Sequence, residues 1–324
     1  MKKSPNLNKV TLIMMVKNEG KNIGALLESI FKQTKLPEEI IVINNNSNDD
    51  TVKIISSFKD KRVRIIDYSG DLGSGRNLAI TEAKHNIIAC TDGGCILDPR
   101  WLEEITSPFV DSKVDVVGGV FKPLYKNFFE QCEGAIVCKK IEDINEKTFL
   151  PSSRSFAFRK EAWKSVGGYP KHNIGGEDTL YVLRLKEKGC NVLINKRALV
   201  YWRMRSPLKN FLRQFYLYAI GDVKNENIKK MKINLSFALS LPVYLLLLIN
   251  LLFFNPFLSL VFAMPAIIYL IIGGIKVAIE TNKLKGFLYG ILLLASKRIA
   301  YVCGVWREWI FPYKGVYKNE NIKL

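Results

Sequence analysis

Five short polar clusters hold the residue types in this sequence that do chemistry, and each follows an apolar run or opens a helical one. Asn18-Glu19 comes first, a pair equally suited to ligand contact and to capping the next helix. Asn44 to Thr51 follows, with Asn46 inside a run of amides and carboxylates that reads either as a binding loop or as a polar turn. The third, Gly70 to Asn77, is a glycine-rich turn leading into a helix; Arg76 offers a fork of donors that matches phosphate geometry. The fourth is Thr91-Asp92-Gly93-Gly94, where a carboxylate after a strand can hold Mg²⁺ or Mn²⁺ against a diphosphate, because hard cations prefer oxygen ligands. The fifth, Gly175-Gly176-Glu177-Asp178, offers a general base in a glycine-hinged loop; the helix dipole alone would also favour acids there.

The elements that must position these clusters follow from hydrophobic periodicity. Short apolar runs alternate with longer amphipathic ones from residue 8 to about 207, the rhythm of βαβ units and a mainly parallel sheet, so the fold class is α/β. Strands are expected at 10–16, 39–43, 62–67 and 86–91, and helices at 21–33, 50–58 and 75–83. In the helix at 21–33, Ile23, Leu26, Leu27, Ile30 and Phe31 share one side. Open sheets of this kind bind ligands at the carboxyl ends of their strands, which is where the five clusters are expected to fall.

The chain has 324 residues and 48 Lys+Arg against 30 Asp+Glu, a net charge of +18. That excess points to an anionic partner, such as a nucleotide, a lipid phosphate or a phospholipid surface. The soluble portion carries no basic face interleaved with aromatics and no nucleic-acid reading module, so no nucleic-acid partner is expected. Six widely spaced cysteines without a C-x-x-C fit a reducing compartment. The apolar run at 10–15 is too short for a signal-peptide core and reads as a first strand, with no export signal.

Residues 208–232 turn helical, basic and aromatic, as in a segment lying at a membrane interface. From 233 to 275 no Asp, Glu, Lys or Arg occurs, a length that suits two membrane spans joined at Asn255-Pro256. Lysines flank this run on both sides (Lys229, Lys230 and Lys232 before it, Lys276, Lys283 and Lys285 after it), which places both ends in the cytoplasm. The apolar stretch 286–305 is interrupted by Lys297 and Arg298 and reads first as an interfacial or re-entrant helix, with a third span as the alternative. The expected domains are therefore 1–207, a basic interfacial segment 208–232, two transmembrane helices in 233–275, and an interfacial or third membrane helix with a basic tail in 276–324.

Taken in order, Asn18-Glu19, Asn44 to Thr51, Arg76-Asn77, Thr91-Asp92 and Glu177-Asp178 resemble the family 2 glycosyltransferases of the GT-A nucleotide-sugar fold. Ser152-Ser153-Arg154 through Tyr169-Pro170 looks like the family segment that leads to its Glu-Asp motif, so the resemblance covers residues 8 to about 222. It implies an inverting, membrane-associated transferase with a nucleoside diphosphate sugar as donor and a lipid-linked or glycan acceptor, its catalytic domain cytoplasmic on a multi-pass membrane protein. By the same resemblance Glu19, Asn44, Asn46, Arg76, Asn77, Arg203 and Arg205 would contact the nucleotide sugar. Asp92 would face the diphosphate and a Mg²⁺ or Mn²⁺ ion, Asp178 would be the base, and Glu177 would orient its loop. Two positions depart from the family pattern: Asn44 stands where an Asp is usual, and Gly94 where the second Asp of D-x-D is common. They keep open the alternative of a membrane-tethered protein that binds a nucleotide sugar without catalysis. Gln214 sits outside any Q-x-x-R-W pattern, which favours single addition over polymer synthesis.

Overall fold

The computed structural model describes residues 9–171, 175–224 and 256–312. The chain divides into two compact units, one built on 9–122 and 140–203, the other on 123–139, 204–224 and 256–312.

The first unit is built on an eight-stranded mixed sheet of order β3-β2-β1-β4-β7-β6-β8-β5. Strands β1 (Val10–Val16), β2 (Glu39–Asn45), β3 (Val63–Tyr68) and β4 (Ile87–Asp92) form its parallel portion. Every residue of β1 and β2 is buried, as continuous Val, Ile, Leu and Met runs require of strands covered on both faces. Helices α1 (Ile23–Phe31), α2 (Thr51–Ser57) and α3 (Leu72–Glu82) are the crossovers, and α1 buries Ile23, Leu26, Leu27 and Ile30, the side expected from the sequence. Beyond β4 the pairing turns antiparallel, through the three-residue β5 (Cys95–Leu97), then β6 (Val116–Leu124), the four-residue β7 (Phe156–Arg159) and β8 (Val192–Arg203). Strands as short as β5 and β7 leave little periodicity to read.

Helix α3 starts three residues before the expected 75. Asp71 caps it, accepting from the Ser74 amide at 2.9 Å. Of the glycines read as a flexible turn, Gly73 and Gly75 lie inside this helix, for reasons of space: a Cβ at Gly73 would strike the Pro170 carbonyl, and one at Gly75 the Met15 side chain.

Helices α4 (Trp101–Thr106), α6 (Lys160–Ser165) and α7 (Glu177–Glu187) complete this unit. An aromatic wedge holds the start of α7: Phe156 and Phe158 of β7 meet Tyr181, and Tyr169 stacks on Tyr181 with centroids 4.0 Å apart. All four rings are buried, and such pairs add about 0.5–1.5 kcal/mol each beyond their buried area.

The second unit is helical: α5 (Phe128–Val137), α8 (Leu208–Lys224), α9 (Pro256–Thr281) and α10 (Gly286–Ile310). Its core joins Cys132, Phe211, Phe215, Val277, Leu293 and Ala300. Where α9 and α10 cross, a Cβ on Gly290 would come within 2.8 Å of the Gly274 Cα, so small residues set the approach. Residues 263–281 and 286–310 are each long and apolar enough to cross a membrane. The stretch first read as interfacial is thus one continuous helix of 25 residues. The two charges near its middle are met by rings, Lys297 lying 4.7 Å from the Phe215 centroid and Arg298 5.9 Å from that of Tyr269. The first expected span, 233–255, and the lysines at 229–232 lie outside the described residues.

Candidate functional site

Strand register lines up the polar groups. Met15 pairs with Asp92, Val16 with Asn44, and Asn44 with Asp67, so the carboxyl ends of β4, β1, β2 and β3 form one edge. Hydrogen bonds lock the loops that leave this edge. Asn44 donates to Asp67 Oδ1 at 2.7 Å and accepts from the Ser47 amide at 3.1 Å. Asn18 takes the left-handed backbone (φ 54°), accepts from the Asn48 amide and gives its own amide to Ser47 Oγ. Glu19 accepts from the Asn22 side chain at 2.9 Å, and glycine at 93 makes room for it, since a Cβ there would lie 2.8 Å from Glu19 Cγ. Asn46 (φ 52°) donates to Ser69 Oγ at 3.0 Å on the surface.

At the end of β4 the contacts are ionic. Arg76, on α3, is almost fully buried; one Nη pairs with Glu177 Oε1 and the other donates to Asp92 Oδ1 at 3.0 Å. Burial works against its charge, but Glu177 and Asp92 outweigh that and hold the guanidinium firmly protonated. Burial in turn raises the Glu177 carboxyl, opposed by Arg76. Asp178, beside Glu177, accepts from the Thr179 amide at 2.8 Å and from the Ser153 amide at 3.4 Å. The next residue, Arg154, sets its Nε 4.0 Å from Asp92 Oδ2. Two residues 86 apart in sequence, Asp92 and Asp178, are thereby tied to one set of neighbours: Arg76 with Glu177 on one side, Ser153 with Arg154 on the other.

The remaining expected residues fall in different places. Asn77 is committed to the protein: it accepts from the Tyr169 amide and from Trp163 Nε1, both at 2.8 Å, and donates to the Tyr169 carbonyl at 2.9 Å, pinning the turn in which Gly168 has φ +82°. Arg203 ends β8 with its amide on the Gly94 carbonyl at 3.0 Å and its Nε buried without a hydrogen-bond partner among the described residues. Arg205 belongs to the helical unit, where its amide donates to Glu133 at 2.7 Å; burial pushes that carboxyl up to about 7. Asp67, one residue before the end of β3, was not among the expected site residues. Sequence reading also gave no role to Arg154, Tyr169 or Trp202, whose importance comes only from contacts across the sheet. The thiols beside Asp92 are not nucleophiles: burial drives both Cys90 and Cys95 up to about 12.

This constellation, a strand-end carboxylate facing a second acidic pair across two guanidiniums, is suited to managing charge on a phosphorylated ligand. Residues 11–163 match the model of glycosyl transferase family 2. The chain carries a family 2 glycosyltransferase domain. The transferase is 26% identical over 241 residues to glycosyltransferase AglE of Haloferax volcanii, covering 72% of this chain and 79% of that one. It is 28% identical over 197 residues to the O-antigen chain rhamnosyltransferase WbaN of Salmonella anatum, covering 57% of this chain and 62% of the relative. Among solved structures, the mannosyltransferase PcManGT from Pyrobaculum calidifontis, in complex with GDP-Man and Mn²⁺, superimposes with a TM-score of 0.59 at 17% identity, over 91% of this chain and 89% of that one. That likeness gives the transferase a GT-A-like fold.

Proposed function

We propose that this transferase moves a sugar, with inversion, from a nucleoside diphosphate sugar to a hydroxyl or phosphate on a lipid-linked glycan or polysaccharide precursor at the cytoplasmic face of a membrane. The observation that carries the reading is the buried Arg76 fork, which fastens Asp92 at the end of β4 to Glu177 at the start of α7, the neighbour of Asp178 in the chain.

In this mechanism Asp178 accepts the proton of the acceptor hydroxyl as the hydroxyl oxygen attacks the anomeric carbon from the side opposite the diphosphate. Inversion follows from that single displacement. Glu177, held by Arg76, fixes the first turn of α7 and with it the direction of Asp178. Arg203, with its buried Nε and its backbone on Gly94, provides a donor for a phosphate oxygen. Glu19, Asn44, Asn46 and Asp67 form the rim that receives the nucleoside, their amides and carboxylates matching a base and a ribose.

The donor set at the strand end fits a divalent cation held largely by its substrate. Among the described residues no group of three or more His, Cys, Asp or Glu gathers to ligate a metal unaided. Asp92, with 30% of its side chain exposed, supplies one carboxylate, and Mg²⁺ commonly takes one or two carboxylates with phosphate oxygens and water completing its shell. When bound, Mg²⁺ or Mn²⁺ neutralises charge on the departing diphosphate. The Mn²⁺ and GDP-Man of the Pyrobaculum mannosyltransferase support this assignment.

A membrane site is supported by α9, which exposes Ile268, Ile272, Ile275 and Ile279 at helical spacing, and by the O-antigen work named for the Salmonella relative. Lys276, Lys283 and Lys285 support a cytoplasmic side for the turn after α9.

The test uses the chain purified in detergent, with UDP-, GDP- and dTDP-sugars and Mg²⁺ or Mn²⁺, read as released nucleotide. One donor class is expected to turn over, and Asp178→Asn to abolish turnover while sparing nucleotide binding. Unimpaired transfer by that variant would remove Asp178 from the role of base.

A further inference from the structure

We propose that Arg154 grips the donor's diphosphate as it leaves, an inference that rests on the transferase reading above. Its guanidinium is seated on the Trp202 indole, 3.9 Å from the ring centroid, with Phe121 at 5.6 Å. Those two rings meet edge to face at 5.6 Å, and Arg154 Nη1 donates to Ser152 Oγ at 3.1 Å. A planar cation braced by an indole and a hydroxyl keeps its donors in one direction, and here the Nε edge lies 4.0 Å from Asp92 Oδ2.

The two arginines beside Asp92 differ in what they can do. Arg76 has 7% of its side chain exposed and both its Nη groups engaged by carboxylates, so turning toward a phosphate would strand a buried Glu177. Arg154 is 15% exposed, and its contact with Asp92 is long enough to yield to a closer anion. Gly94 adds a reason for a fixed cation here. A Cβ at that position meets nothing within 4 Å, so the place where a second carboxylate would reinforce a metal is open, and a guanidinium supplies positive charge independently of one.

The position of Arg154 in the chain couples the two ends of the reaction. Ser153 gives its amide to Asp178 and Arg154 reaches toward Asp92, so one dipeptide spans the place where the proton is taken and the place where charge appears. During transfer the bond from acceptor oxygen to anomeric carbon forms, and the bond from anomeric carbon to diphosphate oxygen breaks with its electron pair left on the diphosphate. The acceptor proton goes to Asp178. Arg154 stays protonated throughout and offsets the charge that accumulates on the leaving group.

The experiment titrates UDP, GDP, dTDP and the corresponding monophosphates into the detergent-purified chain and into Arg154→Gln, and measures kcat with the donor that turns over. Wild type is expected to prefer one diphosphate over its monophosphate. Arg154→Gln is expected to lose that preference by about tenfold or more, to keep its monophosphate affinity, and to fall in kcat by about 10²–10³-fold, as when one preorganised donor is removed. Retained diphosphate preference and kcat in Arg154→Gln overturn the proposal while leaving the transferase reading intact. A wild-type chain that binds none of the three diphosphates removes that reading and this one together. If Arg154→Gln fails to fold, Arg154→Lys decides: a point charge without the stacked fork should lower both quantities, and a folded Arg154→Lys chain matching wild type in both overturns the role.

Discussion

At the ends of β1 and β2 the loops are fastened by amides and hydroxyls: Asn18 to Asn48, Asn44 to Ser47, Asn46 to Ser69, Glu19 to Asn22. The carboxylate of Asp67 there meets an amide donor from Asn44. At the end of β4 the fastening is ionic, with Arg76 and Arg154 set against Asp92 and Glu177. Hydrogen bonds given by amides, even where a carboxylate accepts, hold a shape without a paired cation, which suits the proposed reading of a nucleoside. Opposed charges in a low-dielectric surround hold their shape only while they balance, and they respond when a substrate brings or releases charge. The asparagines at 18, 44, 46 and 48 and the arginines at 76 and 154 therefore mark two kinds of fastening, and the proposed function gives each its own task.

The division can be broken most severely on its ionic side. Arg76→Met leaves Glu177 buried without its cation and is expected to cost about 3–5 kcal/mol, measured as a drop in the denaturation midpoint. Adding Glu177→Gln to that variant should return part of the loss, because the buried carboxyl is then neutral.

A smaller effect is expected from importing charge into the neutral side. Asn44→Asp sets a carboxylate 2.7 Å from Asp67, where an amide hydrogen now sits. Two facing carboxylates raise their own folded-state pKa, so the penalty is absent below the ordinary carboxylate range and grows as pH rises through it. Melting curves should show the variant close to wild type near about pH 4 and about 1–3 kcal/mol less stable near neutrality. A pH-independent difference would mean that charge is not the cause. The smallest effect is local: Asn46 has φ 52°, so Asn46→Ala should cost about 1 kcal/mol in denaturant titrations, while Asn46→Gly stays close to wild type.

Much of the parallel half could be read from the chain because its signals are local. Strand 10–16 was expected where β1 stands, and the buried side of α1 matches the residues chosen from spacing. Polar clusters after strands drew attention to Asn44 and Asp92 because polar residues end the apolar runs there, and a turn or cap leaves the same trace. Arg76 was legible as a residue of interest but not for its partners: the sequence suggested a phosphate, and the fold supplies Glu177, 101 residues away. Arg154 was hidden by the brevity of β7 and by the distance to Trp202, since a cation on an indole leaves no trace in spacing. The glycines at 73 and 75 looked like a turn because glycine permits both turns and close packing, and sequence does not separate the two.

By itself the sequence determined the α/β order, the places of the four parallel strands to within about two residues, the family resemblance and the apolar stretches, all of which depend on residue type within about one element's length. Tertiary structure alone decided which charges balance, that Asn77 serves a turn, and that Ser153 and Arg154 join the two acidic ends of the site. The reason is that hydrophobic periodicity is written along the chain, whereas the compensation of a buried charge depends on whichever segment the sheet order brings alongside it.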